Sequence, residues 1–456
     1  MNALHGYDPA RPGYHFLPPA NWMNDPCGLI QFHGTYHLFY QCNPSSATWG
    51  NMTWGHAESQ DLIHWTHLPL ALYPDQPYDK GGVYTGCALN VDGMPVIFYT
   101  GVHPETQCVA FADEALHIFT KYPGNPVIHH PPSGMEVSGF RDPYVWRESD
   151  GLRMAVGSGI KGEGGMLLLY RSTDMFSWEY LGPLFSGDGG TGDMWECPNF
   201  FPCGGLWVLI VSVLDRAIYF TGEYRENRFY PGVQGEVDLG GSFYAPQIFA
   251  DEQGRRVMFG WLREWRNGNA MVKAGWAGVQ SLPRVIELGA DGRLLFTPAE
   301  EVKSLRKESI TFADISLDKA FEIPIPDEWS GLVEIEARLL VAESAGIKFL
   351  YGSEEAVLTW NRNTGELLLD TSRGSLPSEG AGGTHGARLP LAGGELLNLR
   401  VFLDRSVIEV FANGGTCLTS RVYPSNPAGI KAEIFSCGGG DLKLLTAWKM
   451  SPVWQM

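Results

Sequence analysis

Charged side chains are scarce: Asp, Glu, Lys and Arg make up 18% of the 456 residues. A chain so poor in the Ala, Glu, Lys and Leu mixture of long helices is not a coiled coil or a helical array. Cations are scarcer still, 33 Lys plus Arg against 51 Asp plus Glu, for a formal charge of −18. Such a surface argues against nucleic acid or an anionic membrane as partner. No apolar run approaches the length of a membrane span. The first residues lack a basic segment followed by an apolar one, so no signal peptide is expected. The eight cysteines (27, 42, 87, 108, 197, 203, 417 and 437) contain no CxxC pair and no regular framework. They are expected as mostly free, partly buried thiols in a reducing compartment, and the chain as cytoplasmic. A GxSxG elbow, an HExxH pair and an EF-hand loop are all missing, so serine-hydrolase and common metal chemistries have no signature here.

Turn formers and aromatics fill the space left by charge: 56 Gly, 30 Pro, 23 Phe, 15 Trp and 18 Tyr. Short strands joined by tight turns follow, in a chain long enough for two domains. Five apolar runs break at a glycine and resume: LIQFHGTYHLFY, ALNVDGMPVIFYTG, YVWRESDGLRMAVGSG, NFFPCGGLWVLIVSV and QIFADEQGRRVMFGW. Each reads as a hairpin. The turn glycines, Gly34, Gly93, Gly151, Gly205 and Gly254, stand 49–59 residues apart. A four-stranded unit with its connections needs about 40–50 residues. The spacing therefore predicts an all-β fold with a five-bladed β-propeller over residues 15–295; a β-sandwich with irregular hairpins is the competitor. Ser59-Gln-Asp61-Leu-Ile-His-Trp65 recurs as Ser172-Thr-Asp174-Met-Phe-Ser-Trp178, close to a two-unit spacing.

Candidate chemistry falls at one phase of this repeat. Nine residues before four of the turn glycines stand Asp25, Tyr84, Asp142 and Glu196, and ten before the fifth stands Tyr244. In a propeller these positions form a ring around the axis, so three carboxylates would converge at one mouth between two tyrosines. Such a set suggests glycoside hydrolysis first and metal binding second. Glu196, among Met194, Trp195, Cys197 and Pro198, suits a proton donor of raised pKa. Asp25, beside Asn24, and Asp142, beside Arg141, are expected to stay ionised. His56, His64 and His67 are expected to be structural or substrate-contacting, not metal ligands. Trp22, Trp49, Trp54, Trp65 and Trp261 fit either sugar stacking or core.

The motifs Trp22-Met-Asn-Asp-Pro26, Phe39-Tyr-Gln41, Trp49-Gly-Asn-Met-Thr-Trp54-Gly-His56, Asp61-Leu-Ile-His-Trp65, Gly139-Phe-Arg-Asp-Pro143, Trp195-Glu-Cys-Pro198, Phe243-Tyr-Ala-Pro246, Gly260-Trp261 and Leu282-Pro-Arg284 carry a resemblance. So do Asp404-Arg-Ser406 and Glu409-Val-Phe411-Ala-Asn413 near the end. The chain resembles the β-fructosidases of glycoside hydrolase family 32 over nearly its whole length. The resemblance implies a catalytic five-bladed propeller, a C-terminal β-sandwich, a retaining double displacement on a small fructoside, and no metal or organic cofactor. It implies Asp25 as nucleophile, Glu196 as acid/base and Asp142 as transition-state stabiliser. Asn24, Gln41, Trp49, Arg141 and Trp261 match positions lining the fructose subsite, and Trp22, Tyr84, Thr85 and Tyr244 join the expected substrate-binding set. Departures are Cys27, Cys42, Cys87 and Ser242, where the family has Asn, often an aromatic, Ser and Asp; Thr85 keeps a hydroxyl.

Domain boundaries are expected at 1–299 for the propeller, 300–318 for a charged connector without aromatic rings other than Phe312, and 319–456 for the sandwich. Alternating runs such as LVEIEARLLV and AVLTWNR support the last. Gly374–Gly386 reads as an exposed loop. The second domain is assigned support or substrate reach, with lectin-like binding or contact within a homo-oligomer as alternatives. The expected function is hydrolysis of terminal β-D-fructofuranosides, sucrose first. Alternatives are a fructosyltransferase, a silent fructan-binding propeller and an inverting pentosan hydrolase.

Overall fold

The computed structural model describes residues 8–376 and 382–454. Among the described residues seven sheets, antiparallel except for one two-residue pairing in the first, hold the strands, five in the first two thirds of the chain and two in the last. All five expected hairpins form, each joining the first two strands of one sheet. Their turn glycines all have positive φ, from +81° at Gly34 to +137° at Gly151, a region that favours glycine.

We number these sheets I–V by their first strands: Asn21–Phe32, Gly82–Val91, Phe140–Glu148, Glu196–Cys203 and Phe243–Ala250. Each first strand contacts the next sheet's first strand, and the fifth contacts the first. The ring is stitched shut by one short segment. Trp276–Ala277 pairs in parallel with Asn21 and Trp22 of sheet I, while Val279–Gln280 pairs with sheet V. Gly278 makes the bend at φ +85°, where a Cβ would strike the Met23 carbonyl.

Apolar wedges fill the seams. Phe39 and Trp54 meet Ile97 and Tyr99 between sheets I and II. Phe98 meets Val145 and Met154 between II and III, and Leu167 meets Leu209 between III and IV. Val208 and Ile210 meet Ile248 and Met258 between IV and V, and Phe249 and Val257 meet Leu38 and Tyr40 to close the ring. Burying each large side chain contributes about 1.5–3 kcal/mol, so the ring is held by its seams. The repeated heptapeptide builds one turn twice. Asp61 Oδ1 caps the amides of Ile63 and His64 as Asp174 Oδ1 caps Phe176 and Ser177, and the indoles of Trp65 and Trp178 donate to Leu62 and Met175.

The last third forms two six-stranded sheets sharing one core, with Val333 and Ile335 from one and Ile347, Phe349, Leu358 and Trp360 from the other. Burial alternates residue by residue along Glu354–Asn361, as period-two patterning requires. Residues 300–318, expected as a connector, contain a 3-10 turn, Glu300–Leu305, and an edge strand, Arg306–Ser316, beside Gly440–Met450. Ile310, Phe312 and Ile315 pack on the shared core, a pattern hidden among the segment's charges. The expected Gly374–Gly386 loop lies outside the described residues at 377–381; Thr384–Arg388 is a strand, not loop. All eight cysteines are free thiols, and Cys437 is the exposed one. Among the described residues, no helix is long and apolar enough to cross a membrane.

A buried ionic cluster joins the ring to the last two sheets. Asp404 accepts the amides of Gly13, Tyr14 and His15 and bonds the His15 ring at 2.8 Å. Glu409 takes the other ring nitrogen at 2.9 Å, the Leu282 amide at 2.7 Å and Arg284 at 2.6 Å. Burial opposes charge on His15, yet the two carboxylates raise its pKa. The motifs around Leu282, Asp404 and Glu409 thus meet at one joint. Removing one member of a buried charge cluster strands the others, at a cost of about 3–5 kcal/mol. Glu409→Ala is therefore expected to lower the melting temperature and split unfolding into two calorimetric transitions. A single transition at the wild-type temperature would contradict this role.

Candidate active site

The five first strands share a defect that aims side chains at the centre of the ring. Pairing in each is regular until a bulge: after Met23, Tyr84, Arg141, Glu196 and Tyr244. A proline lies inside three of the bulges, Pro143, Pro198 and Pro246, and directly after a fourth, Pro26, with no N–H to donate to the ladder; sheet II has Gly86 at that place. Asp142, Cys197 and Ala245 carry positive φ of 63°, 49° and 48° inside their bulges. A bulge bends the strand and redirects the side chain.

Alignment on these prolines corrects the expected single phase. Two adjacent positions recur: Asn24, Tyr84, Arg141, Glu196 and Tyr244, then Asp25, Thr85, Asp142, Cys197 and Ala245. Asp25 and Asp142 are equivalent, whereas Glu196 precedes them by one. Counting from turn glycines blurred this because the turn glycine stands one residue nearer to this position in sheets II and IV than in the other three.

A pocket of about 440 Å³ opens at these bulges, lined by Asn24, Asp25, Gln41, Trp49, Tyr84, Thr85, Arg141, Asp142, Glu196, Tyr244 and Trp261. Every residue of the expected catalytic and substrate-binding set lines it except Trp22. That indole is buried behind the wall, where it packs on Trp261 and donates to Asn24 Oδ1 at 2.7 Å. The bond orients the Asn24 amide so that Nδ2 donates to Asp25 Oδ1 at 3.1 Å. Trp49 stands 58% exposed at the rim, its ring edge-on to Tyr84. Trp54 and Trp65 are core, and His56 stacks on Phe39, His67 bonds Tyr40 and His64 bonds Asp61, all away from the pocket.

Cys197, Met52 and Glu105 also line the pocket and were not among the candidates. Cys197 was legible, one residue before a recurring proline; Met52 and Glu105 come from connections that carry no repeat. Cys27, Cys42, Cys87 and Ser242 do not line it. Cys27 is sealed in the seam with Phe39 and Trp54, Cys87 Sγ accepts the Val145 amide, and Ser242 Oγ is taken by Trp265 and the Arg421 amide.

Hydrogen bonds distinguish the three carboxylates. Asp25 Oδ2 accepts Thr85 Oγ1 at 2.7 Å and faces Cys197 Sγ at 3.5 Å. Asp142 Oδ2 accepts the Cys197 amide at 2.9 Å. Elsewhere a bulge amide bonds a hydroxyl on the preceding sheet, Asp142 N to Thr100 and Ala245 N to Ser212. Gly157 occupies that place before Cys197, because a Cβ would lie 2.4 Å from the Trp195 carbonyl, and Asp142 supplies the acceptor instead. Glu196, 31% exposed, is held at both oxygens, by Arg141 Nη2 and by the Tyr244 hydroxyl, each at 2.7 Å.

The expected ionisation of Asp142 is not what the pocket imposes. Burial, opposed by Arg141 and reinforced by Glu196 and Asp25, pushes Asp142 up to about 7. Arg141 spends its hydrogen bonds on Glu196 and Glu105, which leaves Asp142 only its field. Burial also raises Asp25, against the Thr85 hydrogen bond and with repulsion from Glu196. Burial and the Glu196 charge keep the Tyr244 hydroxyl protonated, so it donates. Among the described residues no group of three or more His, Cys, Asp or Glu is placed to hold a metal ion.

Bulged first strands bearing paired carboxylates in a ring, joined to two further sheets, define a carbohydrate-hydrolase class. Residues 15–298 match the model of the glycosyl hydrolases family 32 N-terminal domain, and residues 301–449 match that of the family 32 C-terminal domain. The chain belongs to glycosyl hydrolase family 32. It is 35% identical to a sucrose-6-phosphate hydrolase of Escherichia coli, across 91% of this chain and 89% of that protein. An acid β-fructofuranosidase of Vicia faba is 35% identical across 98% of this chain and 81% of its own length. Fructan 1-exohydrolase IIa of Cichorium intybus superposes with a TM-score of 0.90 at 29% identity, covering 98% of both chains.

The pH dependence of stability follows from Asp142. Its folded pKa, about 7, lies above its ordinary 3.8, so the folded state holds a proton that the unfolded chain releases. Stability therefore falls as pH rises between those values. Asp142→Asn removes this cost, and its melting temperature is expected to exceed that of the wild type at pH 8 but hardly at pH 4. A gap that does not widen with pH would contradict the burial of this carboxylate.

Proposed function

We propose that this chain is a β-fructofuranosidase that hydrolyses terminal β-D-fructofuranosides, sucrose and short fructo-oligosaccharides, with retention of configuration. The observation that carries the reading is one pocket in which Glu196 is gripped at both oxygens while Asp25, on a different sheet, is held by Thr85 and Asn24. The relatives named above act on sucrose phosphate or fructosides, and the match covers the whole ring.

Asp25 attacks the anomeric carbon of the fructosyl unit while Glu196 gives its proton to the glycosidic oxygen, and the alcohol leaves. Glu196 then removes a proton from water, which attacks the same carbon and frees Asp25. Two inversions give retention. Asp142, ionised above about pH 7 when no sugar is bound, accepts hydroxyl hydrogen bonds that strengthen as positive charge develops on the ring. Asn24, Gln41, Tyr84, Thr85 and Arg141 supply polar contacts; Trp49, Trp261 and Tyr244 supply ring surface.

In the same proposal the five sheets are the blades of a five-bladed β-propeller, domain 1–299, and the last two sheets are a β-sandwich, domain 319–456, joined through 300–318. The cyclic contacts of the first strands and the shared core of the six-stranded pair support this division. A cytoplasmic location is part of the reading, supported by the free thiols.

Asp25→Ala and Glu196→Ala are each expected to lower kcat on sucrose by about 10³-fold or more with the circular dichroism spectrum unchanged. Product analysis by NMR is expected to show β-fructose first and no lengthened oligosaccharide. Wild-type turnover by either variant, or α-fructose as the first product, would sink the assignment.

A further inference from the structure

Glu105 stands in the turn between strands Met94–Val102 and Thr106–Ala112 of sheet II, and no motif marks it. Its Oε2 accepts the Phe140 amide at 2.5 Å, and its Oε1 lies 2.8 Å from Arg141 Nη1. The other terminal nitrogen of the same guanidinium, Nη2, is the one bonded to Glu196. Arg141 therefore bridges two carboxylates, one on each nitrogen, in charge-assisted hydrogen bonds. Gly139 leaves room for it, since a Cβ there would lie 2.7 Å from Nη1. Arg141 and Glu105 are 21% and 22% exposed, so water only partly screens the trio.

We propose that Glu105 is a positioning residue for the acid/base. It holds one edge of Arg141 so that the other meets Glu196, and it offsets the guanidinium charge so that Glu196 keeps its proton to a higher pH. The inference rests on Glu196 being the acid/base. A carboxylate against an uncompensated arginine ionises about 1–3 units lower than usual. The groups facing Glu196 are Arg141 and Asp142 from sheet III, Asp25 from sheet I and Tyr84 from sheet II. Cys197 on its own strand and Tyr244 from sheet V complete them, with the Arg263 guanidinium stacked behind the Tyr244 ring at 5.4 Å. Among the described residues Arg141 is thus the one cation paired with Glu196, and Glu105 is its second partner.

The test is the pH profile of kcat/KM on sucrose for the full chain and for E105Q, E105A, E105D and E196Q. E105Q removes the charge, and its alkaline limb is expected to move to lower pH by about half a unit or more. E105D keeps the charge and is expected to keep the limb, whatever happens to kcat. A residue that merely fastened the turn would lower activity without moving the limb. An unmoved limb in E105Q overturns the proposal, as does loss of fold in both E105Q and E105A. E196Q is the separate control: sucrose turnover surviving in it would refute the acid/base reading itself.

Discussion

A proline that cannot donate to its neighbour's ladder is the constraint on which this molecule turns. In four of five sheets it stands in the first strand, within or just past the bulge, where the register of the pairing shifts. The strand bends, two successive side chains swing toward the ring centre, and their amides need new partners. For two of them the partners come from the preceding sheet, Thr100 for Asp142 and Ser212 for Ala245, so these defects also tie neighbouring sheets together. Where Gly157 offers no hydroxyl, Asp142 accepts the Cys197 amide, and structure and chemistry share one carboxylate.

The pocket that results is electrostatically costly. Asp25, Glu105, Asp142 and Glu196 line one pocket with a single guanidinium, that of Arg141. The protein offsets the repulsion with hydrogen bonds from Thr85, Asn24 and Tyr244 and with the Arg141 bridge, and it leaves the two aspartates with raised pKa values. Strain of this kind is retained only where the surroundings over-determine it, and here the sealed seams and the Asp404, Glu409 and Arg284 joint do so.

Much of this was legible in the sequence. Turn glycines marked the five hairpins and, at a fixed distance before them, the three carboxylates, because tight turns record local backbone demands. Eleven positions named from the sequence line the pocket. Trp22 was misplaced since a tryptophan beside a site can pack on its wall as easily as on substrate. Glu105 was invisible, because it reaches Arg141 from a turn whose position depends on how sheets II and III pack. The strand within 300–318 hid behind its charges, which face solvent on an edge. The ionisation of Asp142 was misjudged for a related reason: Arg141 is its neighbour in sequence but directs its hydrogen bonds at other carboxylates.

The account stands or falls on Asp25 forming a covalent bond to the sugar while Glu196 manages protons. Rapid acid quench of Glu196→Gln during reaction with an activated β-fructosyl donor, followed by peptide mass mapping, tests it most directly. A fructosyl adduct on the peptide carrying Asp25 is the predicted result. An adduct on another carboxylate, or none while free fructose still accumulates, would contradict it.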